Sequence, residues 1–443
     1  MVHIAVSVAM SNAGEASRAL AIAKGVRRLT PDGVPVHISV ISQGGRFDTM
    51  ATDAGFDLVA CEPRFHTNNA MSDLGRDLPE LVGSEQIARD LIQGQLDVLQ
   101  DLHPDVVLHG FWPFASLAAH RLGIPTIAFL PLPLEPECVG GGLFVDIPDE
   151  TGVPAHLPAP VRRRLARLAA PLMTRVPFFN QHRVAAAAAS LGWRPTGRTI
   201  PLWEANAAEL VVVNDLPRFH SGYPKPDKVK VTGPIFPGWE ELREGRDPAS
   251  LLDHEVVELL SSGGRPSVLV AMGSSGSKDM LLQAARALAP NADLDVNAVI
   301  LVPPAICPPE LVHEAAGGSS HVLATDEFLP ALALSQLVDV VVSHGGQGTV
   351  QTTMAAGTPL VGVGNVVEQQ LNLQHVMDAG AGIRIQQFQW KPAVIRHAVQ
   401  TVLADPSYKH HASMLADEIA TIDGASNAAQ RIWEFLTARS LAN

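Results

Sequence analysis

The sequence predicts an α/β protein of two doubly wound parallel-sheet domains facing a cleft, and three observations lead to that class. Short β-branched apolar runs alternate with longer Ala/Leu-rich helical stretches from end to end, the rhythm of parallel strands covered by helices on both faces. That rhythm stops in a Pro-, Gly- and Lys-containing segment, SGYPKPDKVKVTGPIFPGW at 221–239, and then starts again. A chain of 443 residues is also long enough for two or three domains, each with a core of its own.

In the first half the pattern predicts strands at 3–10, 34–42, 56–62, 105–110, 126–131 and 209–215, with helical segments such as 15–29 and 86–102 between them. Region 138–200 breaks the pattern. A loop-like stretch there leads into the basic helical run VRRRLARL (161–168), and the whole reads as an insertion of the kind that shapes substrate pockets. The second half predicts strands at 266–274, 297–304, 321–325, 338–344, 359–364 and 382–386. Helices at 250–262, 279–289, 331–336, 349–356, 368–379 and 392–404 fill the gaps. Helices after 410 are expected to pack back across the linker onto the first domain.

Composition removes several classes of function. Hydrophobic residues at 47% and charged residues at 17% describe a folding, globular chain. A net charge of -13 repels a phosphate backbone and an anionic membrane on average, so nucleic acid is not an expected partner. Cys61, Cys138 and Cys307 are odd in number and in no C-x-x-C spacing, so they support neither a zinc site nor a disulfide framework and read as small buried hydrophobes in a reducing cytoplasm. The N-terminus starts as a strand without a basic leader, and no apolar run reaches the roughly 18–20 residues a membrane helix needs. The expectation is a soluble, cytoplasmic protein with no stable membrane insertion.

The most informative stretch is SHGGQGTVQTTMAAGTPLVGVGNVVEQQLNLQHV, at 343–376. A buried strand ends in His344 and opens through Gly345, Gly346, Gln347 and Gly348 into a helix begun by Thr349. Glycines let backbone approach a ligand, and the unpaired N–H groups of a helix start face whatever sits there. Such a turn binds anions, and a His beside it suits a diphosphate.

These residues resemble the signature of GT-B glycosyltransferases of the UDP-glycosyltransferase type: H-G-G-x-G-T, then G-x-P, then D/E-Q-x-x-N. The matching residues are His344, Gly345, Gly346, Gly348, Thr349, Gly357, Pro359, Glu368, Gln369 and Asn372. VLVAMGSSG (268–276) resembles the family's glycine/serine loop at the donor phosphates, and DEFLP (326–330) the segment whose aromatic residue faces the base. The resemblance implies a GT-B architecture. An acceptor-binding domain would cover 1–220, a linker 221–240 and a donor-binding domain 241–410, with C-terminal helices at 411–443. It further implies that His344, the N–H groups of Gly346, Gly348 and Thr349, and the Ser275 hydroxyl hold the diphosphate. Phe328 would stack the base, and Glu368 and Gln369 would hydrogen-bond sugar hydroxyls.

The departures from the pattern bear on specificity. Thr352 stands where many members have a ribose-binding Glu, and Gly364 where many have a Pro before the D/E-Q loop. Loss of that Glu is familiar in bacterial members using dTDP-deoxysugars, so UDP and dTDP donors both stay open. On the acceptor side the family's general-base His is absent, and Gly14–Glu15 occupies its place. Two candidates for the base remain. One is Glu15, whose pKa a helix start lowers and burial raises; the other is His109 at the carboxyl end of strand 105–110. DLD at 293–295 reads as a turn, VRRRLARL as a solvated helix face and FWPF (111–114) as aromatic core.

The expected activity is inverting, metal-independent transfer of a sugar from a UDP- or dTDP-linked donor to a small-molecule acceptor, of the natural-product class in view of the resemblance. No cofactor is expected beyond the nucleotide-sugar co-substrate. A nucleotide-sugar epimerase and a non-catalytic nucleotide-sugar-binding module stay open at this level, as does a homodimer.

Overall fold

Strands that are apolar on both faces require helices on both faces, and each half of the chain builds a parallel sheet that meets this requirement. The computed structural model describes residues 1–66, 70–75, 80–149, 157–173, 180–193, 198–273, 276–290, 294–304 and 306–442. The chain divides into two units. The first comprises Met1–Phe144, Ala166–Ile235 and Asp423–Asn443, and the second Val145–Leu165 and Phe236–Ile422.

The strands of the first unit are β1 (Val2–Ser7), β2 (Val36–Ser42), β3 (Asp57–Ala60), β4 (Val106–His109), β5 (Thr126–Leu130), β6 (Asn180–Gln181), β7 (Ile200–Pro201), β8 (Leu210–Val213) and β9 (Val229–Val231). Seven of them form one parallel sheet in the order β3-β2-β1-β4-β5-β8-β9, and β6 and β7 make a separate two-residue antiparallel pair. Side chains alternate across the sheet. Ile4, Val6, Val106 and Leu108 pack under helices Ala13–Arg28 and Gly424–Ala442, while Ala5 and Val107 pack under Glu85–Leu102 and Pro113–Leu122. Asn12 caps helix Ala13–Arg28 by accepting from the Gly14 and Glu15 N–H groups. Of the C-terminal helices, Gly424–Ala442 lies on helix Ala13–Arg28, where the Trp433 indole N–H donates to the Val26 carbonyl at 2.9 Å.

The second unit carries β10 (Ser267–Ala271), β11 (Asn297–Leu301), β12 (Val322–Thr325), β13 (Val340–Ser343), β14 (Leu360–Gly362) and β15 (Gly382–Arg384). They form a parallel sheet in the order β12-β11-β10-β13-β14-β15. Val268 and Val270 face one core and Leu269 and Ala271 the other.

In both sheets the strand order reverses beside the first strand, between β1 and β4 and between β10 and β13. Ligands of open α/β sheets bind outside the carboxyl ends of strands at such a switch point. Glu15 and His109 lie at the first switch point and Gly273 and His344 at the second.

Two features differ from the sequence expectation. Residues 229–231, inside the segment read as a linker, form the edge strand β9; its alternating Lys and Val leave one face solvated, so it lacks the apolar run that marked the other strands. The region read as one insertion is divided, with Val145–Leu165 grouped in the second unit. All three cysteines are free and buried, and burial pushes the Cys61 thiol up to about 12 and the Cys138 thiol up to about 11. Among the described residues no helix is long and apolar enough to cross a membrane.

Candidate functional site

At the carboxyl end of β13 the chain turns through Gly345, at φ 79°, into helix Gln347–Ala355, which starts two residues earlier than the sequence suggested. The Gly345 N–H donates to Ser343 Oγ at 3.1 Å, and no side chain caps the helix start. Helix geometry gives the first N–H groups no partner within the helix, so those of Gly348 and Thr349 are presented to solvent or a ligand.

His344 is 4% exposed and lies between two glycines. A Cβ on Gly273 would stand 2.6 Å from the ring's Cε1, and one on Gly346 would stand 2.5 Å from Nε2. Either contact would displace the imidazole. Gly345 has no more room, since its Cβ would meet the Gln369 carbonyl at 2.6 Å. Gly348 is different: a Cβ there meets nothing within 4 Å. Glycine in the first turn of a helix costs stability relative to alanine, and no protein atom requires it here. The missing side chain leaves open space at the uncapped helix start.

Burial lowers the His344 pKa to about 4, against a weaker upward effect of the Ala271 backbone, so the ring is neutral at pH 7. Its Nδ1 is buried with no hydrogen-bond partner.

The next loop, after β14, is brought against this turn. Asn372 on helix Val367–Asp378 donates to the Gly345 carbonyl at 3.0 Å and to Glu368 Oε1 at 2.6 Å. Gln369 Oε1 accepts the Asn365 N–H at 2.8 Å. Asn372 therefore ties the two loops together, with Glu368 half-buried beside the turn. Phe328 follows β12 and is 89% exposed, a ring with its faces uncovered. Ser275 and Asp293 lie outside the described residues.

In the first unit Glu15 occupies the first turn of its helix and is 9% exposed. Its Oε1 accepts the Phe111 N–H at 2.8 Å, and the Ala9 backbone supplies a further bond. Burial raises its pKa and outweighs Arg18 and these two backbone bonds. His109 is 0% exposed at the end of β4, with Nδ1 2.8 Å from the Gly110 carbonyl oxygen and Nε2 buried without a partner. Burial lowers its pKa to about 4. The two candidates meet at Gly110, where a Cβ would stand 2.8 Å from Glu15 Oε1.

The family described as Erythromycin biosynthesis protein CIII-like, C-terminal domain, matches residues 309–435. A PGL/p-HBAD biosynthesis glycosyltransferase of Mycobacterium tuberculosis is 25% identical over 383 residues, 81% of this chain and 80% of that one. The 4'-demethylrebeccamycin synthase of Lentzea aerocolonigenes is 33% identical over 171 residues, and the match spans 38% of each chain. The calicheamicin glycosyltransferase CalG4 has the same fold at TM-score 0.63 and 18% identity, with 99% of both chains covered. This chain has the GT-B fold and is related to the natural-product glycosyltransferases. Os79 of O. sativa, solved in complex with UDP, shares this fold at TM-score 0.66 and 16% identity over 97% of the chain and 100% of Os79.

Two of the buried histidines, His109 and His344, set a pH dependence of stability. Each has a folded pKa near 4 and takes up its proton at about 6.5 when unfolded. Their contribution is fully present above pH 6.5 and is lost as pH falls towards 4, by at most roughly 3 kcal/mol each. Urea midpoints should fall between pH 7 and pH 4.5, and His109→Gln should flatten that slope. An unchanged slope in the variant would contradict the assignment.

Proposed function

We propose that this glycosyltransferase inverts configuration at the anomeric carbon, without a metal, while moving a sugar from a UDP- or dTDP-linked donor to a small-molecule acceptor. The observation that carries the reading is the uncapped helix start at Gly348 and Thr349, with room for a ligand over Gly348 and a neutral His344 beside it. Four features fit a diphosphate: backbone donors, the positive end of a helix, an imidazole nitrogen and no competing carboxylate in the turn. Support also comes from the fold neighbours, since SsfS6 was solved with thymidine diphosphate and Os79 with UDP. The mycobacterial and rebeccamycin relatives support a glycolipid or natural-product acceptor.

In this reading Phe328 stacks the base, Ser275 assists at the phosphates, and Glu368 and Gln369 face the sugar hydroxyls. Asn372 holds Glu368 and the glycine turn in register. The acceptor oxygen attacks the anomeric carbon as the bond to the diphosphate breaks. The negative charge developing on the leaving oxygen is met by the N–H groups of the helix start and by His344. Glu15 takes the acceptor proton. It is preferred to His109 because the residue is 9% exposed and its pKa is raised, whereas His109 is 0% exposed and its pKa is lowered.

Gly348→Ala should leave the urea midpoint unchanged or higher, because alanine favours the helix and meets no protein atom there. The same variant should weaken UDP or dTDP binding by about tenfold or more, measured by calorimetry, through loss of close backbone contacts. Undiminished affinity would remove the turn from the donor site.

The ionised form of Glu15 is the base, so wild-type turnover should fall as pH drops through its raised pKa, above the ordinary range of a carboxylate near 4.5. Glu15→Gln should lower turnover by about 10²-fold or more, abolish that acid limb and leave nucleotide affinity within roughly twofold. Full turnover in Glu15→Gln would exclude it as the base, and the same loss in His109→Ala would transfer the role to His109.

A further inference from the structure

The loop that leads into Glu368 and Gln369 departs from the family pattern at Gly364, where proline is common. Here a side chain has no room, since a Cβ on Gly364 would stand 2.5 Å from the Gln370 backbone nitrogen and 2.7 Å from its Cγ. Proline fixes a loop covalently, while glycine leaves it the widest range of conformations. Something else must define this peptide if the residues after it are to read a sugar.

The definition comes from hydrogen bonds that converge on Asp149, within the Val145–Leu165 segment of the second unit. The Gly364 carbonyl accepts from Gln387 Nε2 at 2.7 Å and from Gln370 Nε2 at 3.4 Å. Asp149 holds both of those residues. Its N–H donates to Gln370 Oε1 at 2.9 Å, and its Oδ2 accepts the Gln387 N–H at 3.0 Å. Its Oδ1 accepts Arg384 Nη2 at 2.6 Å and Gln386 Nε2 at 3.2 Å. Arg384 also donates to Asp146 at 2.8 Å, and Asp146 accepts Arg162 Nε at 2.9 Å. The Asp149 and Arg384 side chains are 1% and 3% exposed.

A buried ion pair of this kind is seldom more stabilising than apolar packing of the same volume. Its particular property is directional: neither partner can turn away without leaving a charge unpaired and out of water. The pair therefore gives Gln370 and Gln387 a fixed reference, and through them the Gly364 peptide.

We propose that Asp149 is a positioning residue for recognition of the transferred sugar. Acting through Gln370 and Gln387, it fixes the Gly364 peptide and so the start of the helix that presents Glu368 and Gln369. It supplies in hydrogen bonds the rigidity that relatives obtain from proline. The inference rests on the donor-site reading given above.

Two variants test it. Asp149→Asn keeps the shape and removes the charge, and Gln387→Leu removes one bond to the Gly364 carbonyl without disturbing a buried charge. In Asp149→Asn, amide exchange over 363–370 should accelerate about tenfold while that over 347–355 is unchanged. Its kcat/KM for the preferred sugar donor should fall about tenfold, with altered preference between two sugars on one nucleotide. Affinity for the free nucleoside diphosphate should stay within roughly twofold. Gln387→Leu should change the same quantities in the same direction by less, and it decides alone if Asp149→Asn does not fold. Unchanged exchange and sugar preference in a folded variant, or free-nucleotide affinity falling as far as sugar-donor efficiency, would overturn the proposal. Failure of the wild type to bind any nucleoside diphosphate would refute the donor-site reading instead, and exchange over 363–370 would still decide whether Asp149 fixes the loop.

Discussion

The second unit is organised around a helix start that its own sequence leaves uncapped. Four N–H groups at the beginning of any helix lack intrahelical partners, and most proteins answer with a Ser, Thr, Asp or Asn side chain, as Asn12 does for helix Ala13–Arg28. At Gly346 no side chain answers. The neighbouring residues follow from keeping that site open. Gly273 and Gly346 press a neutral His344 between them, Gly348 leaves open space, and Asn372 locks the following loop to the Gly345 carbonyl.

The first unit sets an opposite electrostatic problem at the corresponding switch point. Glu15 has helix-start backbone beside it, but Asn12 already satisfies the Gly14 and Glu15 N–H groups. Its carboxylate accepts from other backbone instead, and burial becomes the dominant influence on its pKa. The Glu15 pKa is thereby raised. His109, one residue from the same Gly110, is driven the other way, down to about 4, and is neutral at pH 7.

Much of this was legible in the sequence, for identifiable reasons. The central strands of both sheets are predominantly apolar because both faces are covered, so 105–110 or 338–344 can be read from the sequence alone. The glycine turn and the Glu368–Gln369–Asn372 spacing survive in a single sequence because each residue's place is fixed by backbone geometry. Edge strand β9 was hidden by the alternation of Lys228, Val229, Lys230 and Val231, which resembles a solvated linker. The grouping of Val145–Leu165 with the second unit was not legible, because it depends on polar bonds between residues such as Asp149 and Arg384, more than two hundred positions apart in the chain. Gln370, Gln386 and Gln387 look like surface residues until that ion pair places them. Nor could the sequence say which glycine neighbouring protein requires and which faces open space; only the contacts of an added Cβ separate Gly346 from Gly348.

The central claim is that the uncapped turn after β13 receives the diphosphate of a nucleotide-linked sugar. A crystal structure with UDP or dTDP bound tests it most directly. The account predicts diphosphate oxygens within hydrogen-bond distance of the Gly348 and Thr349 N–H groups and of a His344 ring nitrogen, over the position an alanine side chain at 348 would fill. A nucleotide bound with its phosphates elsewhere, leaving that helix start to water, would contradict it.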